Sequence, residues 1–112
     1  MLELRSAGGK WYYIVPLATN QCMTVVGGKK GNGVKVQWAK LQKTQAQQWQ
    51  FVSCGKGYCY IQNRLGYYLN VQGGKAKNGA QLETYKLTKK NAQKWYVNYN
   101  AVGQMLASMG IY

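Results

Sequence analysis

The feature that most constrains this chain is an internal repeat. Residues Val25–Trp49 align with Val71–Trp95 at an offset of about 46 residues, a period that suits one supersecondary unit. Each copy contains Gly-Gly-Lys, Asn-Gly and a closing Gln-x-Trp at matched places. Upstream the alignment shifts by one residue, so that Tyr13-Ile14 matches Tyr60-Ile61. The chain therefore consists of two equivalent units and a remainder.

The repeat divides one small domain into four parts. Repeat one covers about residues 11–52 and repeat two about residues 57–97. Residues 1–10 and 98–112 are expected to match neither copy. With 112 residues and 46% hydrophobic content, the chain has enough apolar material for one hydrophobic core.

Both copies show the pattern of short β-strands. Four segments in each are rich in β-branched and aromatic residues, with turn signals about every ten residues between them, which predicts an all-β barrel or sandwich. The predicted strands are 11–15, 22–26, 34–38 and 48–52 in repeat one, and 58–61, 67–71, 80–84 and 94–97 in repeat two. Alternation on the third strand of repeat two places Leu82 and Thr84 inward, and Glu83 and Tyr85 toward solvent.

The chain is strongly basic. Fifteen Lys and Arg residues against two acids give a formal net charge of +13. A positive field of this size attracts polyanions, including nucleic acid, or serves only to keep the protein soluble. No run of about 20 apolar residues exists, so we expect no membrane-spanning helix.

The three cysteines leave two alternatives open. Cys54 and Cys59 flank a glycine-rich turn, where they either form a disulfide or remain two independent thiols. Cys22 is expected to be a small buried hydrophobic residue. Because the chain has no histidine and no second cysteine pair, we expect no metal and no cofactor.

The acidic residues argue against catalysis. Glycoside hydrolysis requires two carboxylates at a set separation, and the chain offers only Glu3 and Glu83. Hydrolysis by a serine or cysteine nucleophile requires a base, and no histidine is present to act as one. The sequence therefore predicts a protein that is not an enzyme.

The order of these motifs resembles the ricin B-type lectin repeat. The resemblance covers residues 11–97 and depends on two Gln-x-Trp motifs at matched places in two matched units. It implies a β-trefoil, a fold of three four-stranded lobes, with the third lobe here reduced or completed by a partner. It also implies a non-catalytic carbohydrate-binding module that is secreted or at the cell surface. We expect Trp49 and Trp95 to anchor the core, and Gln47 and Gln93 to bond the local backbone.

The resemblance also implies where a sugar would bind. In that family, an acid on the second strand, a polar residue and an aromatic platform two apart on the third, and an Asn-Gln pair before the Trp hold the sugar. Carried over by position, the candidate residues are Asn70, Glu83, Tyr85 and Gln93 in repeat two, and Thr24 and Gln37 in repeat one. Repeat one has Ala39 at the position of the platform. The site of repeat two is the better equipped of the two.

Two features depart from the family pattern. Asn70 and Thr24 stand where the family has an acid, which argues against a simple galactose-type site. Leu41 and Leu87 occupy the second position of the family's in-lobe disulfide, so that bridge cannot form.

Three functions follow as hypotheses. The first is a lectin-like module that binds a neutral glycan or an anionic polysaccharide. The second is a polyanion-binding domain for nucleic acid or an acidic cell-wall polymer, in which lysines act beside tyrosines. The third is a self-assembling structural protein, with the uncharged, Met-rich residues 98–112 as the contact between copies of a homo-oligomer.

Overall fold

The described part of the chain folds into one antiparallel sheet. The computed structural model describes residues 2–74 and 80–96. Their strands are β1 (Leu2–Gly8), β2 (Trp11–Pro16), β3 (Gln21–Val25), β4 (Val34–Lys40), β5 (Trp49–Gly55), β6 (Tyr58–Asn63), β7 (Tyr68–Val71), β8 (Leu82–Tyr85) and β9 (Trp95–Tyr96). Their order in the sheet is β1-β2-β5-β6-β7-β8-β4-β3, and β9 pairs with β6. The predicted all-β class is confirmed.

Short 3₁₀ helices connect some of these strands. Over the described ranges they occupy Val26–Gly28, Gln45–Gln47, Gln72–Gly74 and Asn91–Gln93. They fall at equivalent places, after the second strand of each repeat and again before the fourth. Gly27 and Gly73 have φ of 68° and 77°, a left-handed conformation that glycine adopts without strain. The same turn therefore forms in both copies because both have glycine at this position.

Strands β2 to β5 form repeat one and β6 to β9 form repeat two. In each, the second and third strands pair as a hairpin, and β4 pairs with β8 to join the two hairpins. The result is a four-stranded region in the order β3-β4-β8-β7. We call the side of this region that carries Thr24, Gln37, Asn70, Glu83 and Tyr85 the outer face.

Strand β1 has a role that the sequence did not predict. It pairs with β2 as β5 pairs with β6, and the register of the two hairpins shifts at the same place, between Ser6 and Gly8 in one and between Ser53 and Gly55 in the other. The prediction that residues 1–10 match neither copy is therefore wrong. Strand β1 occupies the position of a fourth strand that precedes repeat one.

The tryptophans that end the repeats lie in the same environment. The indole N–H of Trp49 donates to the carbonyl of Met23 (3.0 Å), and that of Trp95 donates to the carbonyl of Leu69 (3.2 Å). Both rings are fully buried. The core around them contains Leu2, Ile14, Met23, Val25, Val36, Ile61, Leu69, Val71 and Leu82. The prediction that both tryptophans anchor the core is confirmed.

Some of the predicted features fall on residues that the structure does not describe. Lys75, Asn78-Gly79 and residues 97–112, including the proposed contact between copies, lie outside the described residues. Within the part of the chain that is described, we find no helix long and apolar enough to cross a membrane.

Candidate functional site

The candidate residues of repeat two lie together on the outer face. Asn70 on β7 is opposite Glu83 on β8, and Tyr68 is opposite Tyr85. Residues directly opposite each other in an antiparallel pair project to the same side of the sheet. Two tyrosines and an amide–carboxylate pair therefore share one surface.

Glu83 is more buried than the sequence predicts. Its exposed fraction is 8%, so the expectation that it faces solvent freely is wrong. The reason is that β8 is an interior strand of this region, with Asn70 opposite Glu83 on one side and Lys35 opposite it on the other. The Asn70 Nδ2 donates to Glu83 Oε2 at 2.8 Å. This hydrogen bond orients the carboxylate of Glu83.

Tyr85 is half-buried at the end of β8. Lys86, the residue after Tyr85, is held in place because its backbone N–H donates to Asn32 Oδ1 at 2.7 Å. Opposite Tyr85, Tyr68 packs edge-to-face against Tyr60, with ring centroids 6.0 Å apart. The structure therefore brings Asn70, Glu83 and Tyr85 together.

Gln93 has a different environment from those three residues. Its side chain is fully buried, its Nε2 donates to the carbonyl of Lys86 (2.7 Å), and its Oε1 accepts from the N–H of Thr88 (2.8 Å). Gln47 makes the equivalent bonds, to the carbonyl of Lys40 (2.7 Å) and from the N–H of Gln42 (2.8 Å). Both glutamines thus brace the loop before the tryptophan, as predicted, and both side chains are almost fully buried.

Repeat one offers a cavity at the equivalent position. It has a volume of about 400 Å³, and its walls include Thr24, Gly28, Ala39, Gln47 and the side chain of Leu65 from repeat two. Thr24 Oγ1 accepts from Gln47 Nε2 at 3.2 Å. Gln37 lies opposite Thr24 in the sheet but is exposed and does not line the cavity. The site therefore combines Thr24 with a concave surface and lacks an aromatic ring.

Basic and aromatic side chains meet at two equivalent positions away from the outer face. Trp11, the first residue of β2, has Lys10 Nζ 5.9 Å and the Arg64 guanidinium 5.3 Å from its ring centroid, distances typical of cation–π contacts. Tyr58, the first residue of β6, lines a cavity of about 530 Å³ together with Lys56 and Lys94. Sequence reasoning missed this second cavity, because Lys56 and Lys94 are distant in the chain.

The three cysteines are free. The disulfide between Cys54 and Cys59 that the sequence left open is thus not formed in this structure. Burial raises the pKa of the Cys59 thiol to about 11, and the nearby Cys54 thiol adds to the increase. Burial also raises the pKa of Cys22, partly opposed by its contact with Thr24. Cys54 is half-buried and lines the cavity beside Tyr58.

These environments predict selective thiol chemistry. At pH 7.5, a maleimide reagent is expected to modify Cys54 at least about tenfold faster than Cys59 or Cys22, because the thiolate is the reactive form and the other two thiols are buried with raised pKa values. Peptide mass spectrometry after tryptic cleavage at Lys56 separates Cys54 from Cys59. A Cys54→Ser variant is the control and should lose the fast label, whereas equal labelling of Cys59 would contradict the burial described here.

Comparisons with known proteins agree with this architecture. The Ricin-type beta-trefoil lectin domain-like family matches residues 2–85 and, in an overlapping match, residues 46–105. The chain therefore belongs to this family, and its β-trefoil fold is confirmed. Carbohydrate binding is the function that membership supports at the level of the family. A search of curated proteins gave no match.

Solved structures show the same fold at low sequence identity. The designed 3-fold symmetric protein ThreeFoil is 24% identical, with a TM-score of 0.79 over 84% of this chain and 68% of its own. An exo-beta-1,3-galactanase from Clostridium thermocellum is 22% identical, with a TM-score of 0.79 over 84% of this chain and 21% of its own. A Polyporus squamosus lectin, bound to the epitope Neu5Aca2-6Galb1-4GlcNAc, is 21% identical, with a TM-score of 0.69 over 81% of this chain and 33% of its own. The chain thus spans a small part of the last two proteins.

Proposed function

We propose that this protein is a non-catalytic module that binds glycans through the outer face of repeat two. The observation that carries the proposal is the hydrogen-bonded pair of Asn70 and Glu83 on the same surface as Tyr85. Sugar hydroxyls require oriented polar partners, and the apolar face of a pyranose stacks on an aromatic ring. A carboxylate held by an amide beside a tyrosine supplies both.

Each residue has a distinct role in this proposal. Tyr85 is the stacking platform. Glu83 accepts hydrogen bonds from sugar hydroxyls through the carboxylate lone pairs that Asn70 does not occupy. Asn70 fixes the orientation of that carboxylate. Gln93 acts indirectly, because its hydrogen bonds hold the backbone at Lys86, directly after Tyr85. Thr24 and Gln37 belong to a second and poorer site, since Ala39 leaves the cavity of repeat one without a platform.

Replacing Tyr85 tests the proposal. After a glycan array identifies a ligand for the wild type, Tyr85→Ala is expected to weaken its binding about tenfold or more in calorimetry, because an aromatic anchor commonly contributes more than about 1.4 kcal/mol. Ala39→Tyr is the matched gain-of-binding variant. It places a ring at the equivalent position of repeat one and should add a second binding event. Wild-type affinity in Tyr85→Ala, with an unchanged melting temperature, would refute the assignment of this site.

The basic surface supports a second candidate function, polyanion binding. The contacts of Trp11 with Lys10 and Arg64 combine charge with an aromatic face, as single-stranded nucleic acid or an acidic polymer requires. Salt separates the two functions, since polyanion binding weakens steeply as salt rises and neutral-sugar binding changes little. Self-association through residues 98–112 remains a third hypothesis, and sedimentation at several concentrations tests it.

The main proposal also bears on where the protein acts and on whether it hydrolyses glycans. A glycan-binding module of this family is expected to be secreted or to act at the cell surface. The two acidic residues of this chain lie on strands that are not neighbours in the sheet: Glu3 on β1 pairs with Arg5, and Glu83 lies on β8 with Asn70. The arrangement suits binding rather than hydrolysis, because two carboxylates that act on one glycosidic bond must face each other across it.

A further inference from the structure

The cavity beside Tyr58 is built from two segments of the chain. The hairpin between β5 and β6 contributes Cys54, Gly55, Lys56 and Tyr58, and the segment before β9 contributes Asn91 and Lys94. Pairing of Cys59 with Trp95 brings the two segments together. With a volume of about 530 Å³, the cavity is in the range of sites that hold small ligands. We call it the basic–aromatic cavity.

Tyr58, which lines this cavity, forms an exposed aromatic pair with Tyr96. Tyr58 is 45% exposed and Tyr96 is 52% exposed. Their rings meet edge-to-face, with centroids 6.3 Å apart and an angle of 73° between the planes. Gly57 has φ of 82°, a left-handed conformation that glycine adopts without strain, and the Tyr96 ring lies beside this turn. Each tyrosine keeps part of its ring free for a ligand.

The charge at the cavity is uncompensated. Lys56 and Lys94 both line it, and the six residues that form its walls include no acid. The chain has only two acidic residues, and both are engaged elsewhere: Glu3 with Arg5 on β1, and Glu83 with Asn70 on the outer face. Lys94 is half-buried, so an anion beside it would be less screened than one at a fully exposed lysine.

From these observations we infer that the basic–aromatic cavity is a second ligand site, which binds an acidic sugar unit, a pyranose that carries a carboxylate or a sulfate. The sugar ring stacks on Tyr58, the anionic group contacts Lys56 and Lys94, and the Asn91 amide bonds a hydroxyl. A compact cavity favours one sugar unit over nucleic acid, which requires a groove that tracks several nucleotides. The inference goes beyond the proposed function, because none of these residues belongs to the outer face.

Two acidic oligosaccharides and one matched uncharged control test the inference. Tetragalacturonate carries carboxylates, and a heparin-derived tetrasaccharide carries sulfates as well. The methyl ester of tetragalacturonate has the same rings without the charge and is expected to bind at least about tenfold more weakly. Binding of at least one acidic probe should also slow maleimide labelling of Cys54, which lines the cavity. Equal affinity for the ester, or no protection of Cys54 at saturation, would overturn the inference.

Variants separate this site from the general positive field. Lys56→Gln, Lys94→Gln and Tyr58→Ala should each weaken binding of the acidic probe about tenfold. Lys30→Gln removes the same charge at an exposed position outside the cavity and should change affinity less than about twofold. Equal losses in Lys30→Gln and Lys94→Gln would attribute binding to net charge alone and overturn the proposed site. Thermal unfolding of each variant checks that the fold is intact.

Two further experiments distinguish binding at this cavity from binding at the outer face and from binding of nucleic acid. Tyr85→Ala, which removes the platform of the outer face, should leave affinity for the acidic probe and protection of Cys54 unchanged. Loss of both in Tyr85→Ala would place the acidic sugar on the outer face and refute the second site. A single-stranded oligothymidylate is expected to bind more weakly than the acidic sugars at equal salt. Tighter binding of the oligonucleotide, with the same dependence on Lys94, would make the cavity a nucleic-acid site instead.

Discussion

Trp49→Ala is expected to lower the free energy of unfolding by about 4 kcal/mol, the loss typical of a fully buried tryptophan. A domain of this size is stable by only about 5–15 kcal/mol, so a large part of its stability would disappear. The ring is completely buried, and its N–H donates to the carbonyl of Met23 at 3.0 Å. The substitution therefore leaves a cavity in the core and removes the partner of a buried carbonyl.

Two further variants serve as controls for Trp49→Ala. Trp49→Phe keeps an aromatic ring but loses the N–H, so its loss of stability should be intermediate. Trp11→Ala removes a half-buried tryptophan whose ring lies beside Lys10 and Arg64, and a loss of about 1 kcal/mol is expected. Urea unfolding monitored by circular dichroism measures all three. Similar midpoints for Trp49→Ala and Trp11→Ala would contradict the role of Trp49 as a core anchor.

The repeat allowed much of the fold to be predicted, because the residues that define it are those with the strictest physical requirements. A buried indole needs one acceptor, and a buried amide needs both a donor and an acceptor. Trp49 and Gln47 meet these needs with backbone groups of repeat one, and Trp95 and Gln93 meet them in the same way with backbone groups of repeat two. The same short motif therefore folds identically in both copies.

The equivalence of strand β1 to β5 was not predicted, because the formation of a hairpin depends little on residue identity. The clearest residues that the two strands share are a serine and a glycine, Ser6 and Gly8 against Ser53 and Gly55. These residues sit at the register shift, where small side chains suit the backbone. Alternation of apolar residues in the rest of the strand is common to many β-strands and does not reveal an equivalence.

The site was predicted in part. Alternation correctly placed Glu83 and Tyr85 on one face of β8, but it could not show that β4 and β7 flank that strand and bury the carboxylate. The basic–aromatic cavity depends on pairing between strands that are distant in the chain, since Lys56 and Lys94 come together only through β6 and β9. Local patterns carry no information about such contacts.

Gln47→Leu is expected to destabilise the protein by about 2–4 kcal/mol, although leucine has nearly the same volume. The amide of Gln47 bonds the carbonyl of Lys40 and the N–H of Gln42, both at hydrogen-bond distances below 3 Å. Leucine leaves both backbone groups without this partner in a part-buried loop, at about 1–3 kcal/mol for each group that water cannot reach. The melting temperature should fall by roughly 10–30 °C, at about 4–8 °C for each kcal/mol.

A nearby glutamine supplies the matched control for this last prediction. Gln45 lies two residues earlier, its side chain is exposed, and Gln45→Leu should change stability by less than about 0.5 kcal/mol. Because Gln47 also holds Thr24 Oγ1 at the wall of the cavity in repeat one, Gln47→Leu should weaken that site before it affects the outer face of repeat two. If the two variants melted at the same temperature, water would have replaced the amide without cost, and Gln47 could not be the brace that positions the loop before Trp49.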